Sequence, residues 1–65
     1  MKTIDMKAGV VYLYVGGQQQ LTVCYLGYEN DYYYFVPVDK RMRISGYIQH
    51  LCEKEVEELI KHCES

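Results

Sequence analysis

Proline is nearly missing from this chain of 65 residues, Pro37 being the only one. No low-complexity stretch or internal repeat interrupts the chain, so nothing marks a linker between domains and a single domain spanning 1–65 is expected. Long apolar runs are missing too. The best candidate, Val10 to Val15, has six residues, too few for a signal h-region or a membrane span. Nor is there a basic excess: seven Lys and Arg against nine Asp and Glu give a net charge of -2, which counts against a general nucleic-acid or membrane-surface binder. Cysteine is scarce and odd in number. Cys24, Cys52 and Cys63 always leave one unpaired, and no secretory pattern stands in "MKTIDMKAG", so reduced thiols and a cytoplasmic setting are the expectation. Catalytic sets are lacking as well: no Ser/His/Asp set, phosphate loop or isolated carboxylate pair is visible. The chain is read as no enzyme, with no cofactor and no small-molecule substrate.

What the chain has in quantity is tyrosine, eight residues of it. Three runs rich in aromatic and β-branched residues predict strands over about 10–15, 21–28 and 32–38. Asn30-Asp31 suits a tight hairpin that needs φ > 0. Met42, Ile44, Gly46 and Ile48 alternate with Arg41, Arg43, Ser45 and Tyr47, which predicts a fourth, more exposed strand over 41–48. From Cys52 the period becomes helical: Val56, Leu59, Ile60 and Cys63 recur at i, i+3, i+4 and i+7. Cys52 stands where an N-cap is expected, with Glu55 three residues on and Leu51 and Val56 placed for a hydrophobic staple. A helix over about 52–63 follows, with a start after Ser45 as the longer alternative. The fold class is mostly β (α+β): a small SH3-like barrel, or an antiparallel meander of four to five strands, with one C-terminal α-helix.

Register follows from the turns. A two-residue loop at Asn30-Asp31 sets Tyr28 opposite Tyr33, Gly27 opposite Tyr34 and Leu26 opposite Phe35. A five-residue loop at Gly16–Gln20 pairs Tyr12 with Cys24 and Leu13 with Val23; a four-residue loop would move Tyr12 and Tyr14 to the other side. One face then collects the aliphatics Val11, Leu13, Val15, Leu21, Val23, Val36 and Val38, as an interior would. The other collects Tyr12, Tyr14, Thr22, Cys24, Leu26, Tyr28, Tyr33 and Phe35, of which Tyr12, Tyr14, Tyr28, Tyr33 and Phe35 are the candidate protein-binding residues. Tyrosine suits that role, giving contact area with a polar tip. The competing reading lays the terminal helix across this face and makes it a second core, since a domain of this size buries only roughly 60% of its unfolded surface.

Lys7-Ala8-Gly9-x-x-Tyr12 leading into a curved strand, followed by short meander strands with glycines at their bends, resembles the small SH3-like barrels over Lys7 to Ile48. The resemblance implies five strands and a binding module whose aromatic surface holds a protein or a strand of nucleic acid. The expected function is a non-catalytic protein-interaction module, an adaptor or inhibitor of the type encoded by phages and mobile elements, docking on another protein or on itself as a homodimer. The alternative is a single-stranded nucleic-acid binder that stacks bases on tyrosine and holds the backbone with Lys40, Arg41 and Arg43. His50, Cys52, His62 and Cys63 invite a zinc reading, but a helix starting at Cys52 would carry His62 and Cys63 about 15 Å away. No metal site is expected.

Overall fold

Each aromatic and β-branched run forms a strand, and the turns decide which side chains go inside. The computed structural model describes residues 2–63. After a 3-10 turn at Thr3–Asp5 come β1 (Val11–Gly16), β2 (Gln19–Glu29), β3 (Tyr32–Pro37), β4 (Gln49–Leu51), α1 (Glu53–Leu59) and β5 (Ile60–His62). The strands form one antiparallel sheet in the order β4-β3-β2-β1-β5. Over the described residues the chain is therefore mostly β, with five strands and one C-terminal helix.

The second hairpin closes on two residues. Asn30 and Asp31 take φ 52 and 69, and Tyr28 lies across from Tyr33 and Gly27 from Tyr34. The first hairpin corrects the expected register. Its loop is Gly17-Gln18 alone, with Gly16 paired to Gln19. Gly17 takes φ 59, which glycine supplies at the first central position of a type II′ turn. Tyr12 consequently pairs with Val23 and Leu13 with Thr22, one position away from the expected register, and the period of two swaps faces. A β-bulge at Leu26 makes a second correction, setting Tyr25 instead of Leu26 opposite Phe35.

These shifts reverse the expected inside and outside along β1 and at the tyrosines, while Val23, Val36 and Val38 are buried as expected. Tyr12, Val23, Tyr25, Phe35 and Leu51 form the core with Met6, Val56 and Ile60, and Tyr14 and Tyr33 pack against it. Val11, Leu13 and Val15, expected inside, alternate outward from β1. The physical reason lies in volume. One seven-residue helix must cover the inner face of five strands, and aromatic rings fill the remaining space better than valines do. Burial raises the Tyr25 phenol above its usual value, helped by its neighbours Tyr33 and Tyr12.

The helix also sets the curvature. A flat sheet would hold β4 and β5 about 19 Å apart across four strand spacings, yet α1 joins them while advancing only about 10 Å. The sheet must curl, and α1 lies against β1, β3, β4 and β5. The helix starts as expected: Cys52 is the N-cap in a capping box, and its N–H donates to Glu55 Oε1 at 3.1 Å. That bond is the main reason the Glu55 carboxyl titrates below its usual value. It ends at Leu59, well before the expected Cys63. Ile60 turns extended (φ -98, ψ 129), and Ile60–His62 pairs with Tyr14–Tyr12. A few more helical hydrogen bonds are exchanged for a ladder that covers the open edge of β1, while Ile60 stays fully buried.

The expected strand over 41–48 is absent; β4 begins only at Gln49. Asp39 explains the difference. Its Oδ1 accepts the N–H groups of Arg41 (2.8 Å) and Arg43 (2.9 Å), its own N–H donates to the Arg43 carbonyl, and Met42 takes φ 64. This tight turn consumes the start of the alternating pattern, leaving one isolated bridge between Val38 and Ile44. The N–H bonds from Arg43 and Arg41 lower the Asp39 pKa from 3.8. A lowered folded pKa means that the turn is fully supported above the usual value and loses support as pH falls through the lowered one. In an NMR pH titration the Arg41 and Arg43 amides should move together below pH 3.8, and Asp39→Asn should abolish that transition.

Candidate docking surface

Five strands leave two faces; α1 packs on the inner one, and on the outer one Val36 is buried while Tyr32 and Leu26 are open. On the outer side β1 presents Val11, Leu13 and Val15, β2 presents Gln20, Thr22 and Cys24, and β3 presents Tyr32, Tyr34 and Val36. His50 lies beside Tyr34 on β4, and Lys61 beside Leu13 on β5. A solvated sheet face normally alternates polar with apolar. Here the three central strands carry one outward charge, Glu29, beside Tyr32 at the hairpin end.

The most open part of this face lies over β3. Leu26, pushed out by the bulge, joins Tyr28, Glu29, Tyr34 and Ile48 around a depression of about 290 Å³. His50 stands between two outward rings, edge-on to Tyr32 at 4.9 Å and tilted to Tyr34 at 6.2 Å. Leu26, Tyr32 and Ile48 are 44%, 41% and 60% exposed. In the loop before β4, Met42, Ile44 and Tyr47 are also exposed, the last 88%. The two ends of this patch carry opposite charge. Glu29 and Asp31 mark the hairpin end of β3, and Lys40, Arg41 and Arg43 occupy the turn beyond its other end, about 20 Å away at strand rise.

The five tyrosine-face candidates are placed differently. Tyr12 is buried, its hydroxyl accepting the Lys7 N–H at 3.0 Å. Phe35 is 1% exposed. Tyr14 and Tyr33 are half-buried against the core. Only Tyr28 is open to solvent; its ring lies 4.6 Å from that of Tyr33, and its hydroxyl donates to Asp31 at 3.1 Å. That bond is the first cause of its raised pKa. Lys40, Arg41 and Arg43 are all exposed in the turn, with Arg43 Nε 3.4 Å from Asp39 Oδ2. Tyr32, Tyr34, Ile48 and His50 are not among the docking residues expected from the sequence, and Leu26 is expected on the tyrosine face but not as a docking candidate. Strict alternation through "DYYYF" would have put Tyr32 and Tyr34 opposite Tyr33 and Phe35.

A second concavity, of about 220 Å³, opens on the inner face between Tyr14, Leu21, Phe35 and Pro37, flanked by the carboxamides of Gln19 and Gln49. Among the described residues no three His, Cys, Asp or Glu side chains converge as metal ligands. Cys24, Cys52 and Cys63 are free thiols. No helix formed by the described residues is long and apolar enough to cross a membrane. No protein-family model matches the chain, and no curated protein or solved structure resembles it significantly.

Proposed function

We propose that this chain is a non-catalytic protein-interaction module that docks through the outer face of its sheet, around Leu26, Tyr32, Tyr34, Ile48 and His50. The observation that carries the reading is a nearly uncharged cluster of exposed apolar side chains on that face, with Leu26, Tyr32 and Ile48 at 44%, 41% and 60%. Contiguous apolar surface of this kind marks interaction sites on soluble proteins, and Tyr and His rings with aliphatic neighbours suit the centre of an interface. The role that fits is an adaptor or inhibitor acting in the cytoplasm. Immobilised wild-type chain should retain protein, its own copies included, and Leu26→Glu should reduce retention at least tenfold with an unchanged thermal midpoint. Equal retention by the variant would overturn the reading.

A second reading has one specific observation in its favour. Lys40, Arg41 and Arg43 share an exposed segment with Tyr47, the combination of cation and stacking ring that a nucleic-acid strand requires. It predicts salt-dependent binding of a fluorescent single-stranded oligonucleotide, weakened by Arg41→Ala. The overall net charge of -2 favours the protein partner.

A further inference from the structure

We infer that the occupant of the outer face is a second copy of this chain, packed about a two-fold axis that passes near Tyr34. The inference rests on the docking reading above and adds the partner. Three features of the face select a copy of itself. The first is charge. An isologous interface places each end of a patch on the opposite end of its copy. Here one end of β3 carries Glu29 and the other the Lys40-Arg41 turn, so antiparallel packing brings acid onto base twice over. The apolar centre of Leu26, Tyr34 and Ile48 then meets its own image.

The second feature is area. Three central strands about 20 Å long, flanked by two strands of three residues about 10 Å long, all about 4.8 Å apart, present roughly 400 Å². The exposed side chains at its rim, Tyr28, Met42 and Ile48, extend this toward the roughly 800 Å² per partner of a standard interface, which places the dimer in the small, weakly associating class. The third is size. A domain of 65 residues builds a small core, and burying Leu13, Cys24 and Tyr34 against a copy would enlarge it, one of the ways small domains gain stability.

Sedimentation equilibrium of the full chain over micromolar to millimolar concentration tests this. The expected mass rises from 7.7 kDa toward twice that value. Ile48→Glu, at a site open enough to leave the fold intact, should hold the mass at the lower value throughout, as should Leu26→Glu. Glu29→Arg and Arg41→Glu should each weaken dimerisation roughly three- to tenfold, since each lost contact occurs twice. Both in one chain should restore it, because residue 29 of one copy meets the turn of the other. A constant 7.7 kDa in the wild type, or a double variant weaker than either single one, would overturn the two-fold dimer. The docking reading then stands or falls separately. Retention that Leu26→Glu abolishes would point to a different protein on the same face, and retention that the variant leaves unchanged would remove both.

Discussion

Replacing Phe35 with Ala should unfold much of the population at 25 °C. Phe35 is 1% exposed at the centre of the inner face, opposite Tyr25 and Gln49 in the ladder, with its ring 5.3 Å from that of Tyr25. Removing a buried phenylalanine costs about 3–5 kcal/mol, a lost transfer term plus the cavity left behind. Total stability at roughly 0.05–0.15 kcal/mol per residue comes to about 3–10 kcal/mol for this length, so the loss can match the whole. Urea denaturation followed by circular dichroism would show the midpoint collapse. A variant within about 1 kcal/mol of wild type that failed only in partner retention would return Phe35 to a docking role. Tyr34→Ala is the contrast. It removes an outward, half-buried ring beside His50 and should cost retention well before it costs stability.

That contrast shows where the sequence could be read and where it could not. The three central strands and the helix start were legible because their signals are local: β-branched and aromatic runs, the Asn30-Asp31 turn, and Cys52 with Glu55. Which face is inside is a global property. It depends on whether the Gly16–Gln20 segment forms a loop of five residues or of two, and "GGQQQ" offers glycine at either of its first two positions. Of the two, Gly17 takes the positive φ, and Gln19 and Gln20 extend the strand. The same holds at the far ends. The pattern Val56, Leu59, Ile60, Cys63 fits a helix throughout, but the vacant edge of β1 recruits Ile60–His62, an attraction no window of sequence contains. The alternation over 41–48 likewise gave no sign that Asp39 would fold the chain back on Arg41 and Arg43. The docking candidates inherited the register error. Tyr12, Tyr14, Tyr33 and Phe35 do share a face, as read, but α1 and the curled sheet cover it, and the open face belongs to their neighbours in sequence.

The bulge that turns Leu26 outward depends on Gly27, and Gly27→Val should cost about 1–3 kcal/mol or more. Gly27 takes φ 142, outside the left-handed region that Asn30 and Asp31 occupy at 52 and 69. Asn and Asp visit that region at modest cost, whereas backbone near φ 142 belongs to glycine alone. No heavy atom lies within 4 Å of where a Cβ would sit, so the penalty comes from the backbone and not from packing. Asn30→Ala, at φ 52 in the second hairpin, is the internal comparison and should cost about 1–2 kcal/mol. The order of the two urea midpoints tests the conformational argument, and equal losses would refute it. The Gly27 variant should also report on function. A chain that escapes the strain by ironing out the bulge puts Leu26 opposite Phe35, in regular alternation, and rotates it toward the inner face. The outer depression then loses the aliphatic wall opposite Ile48, so retention should fall along with stability in Gly27→Val but stay intact in Asn30→Ala.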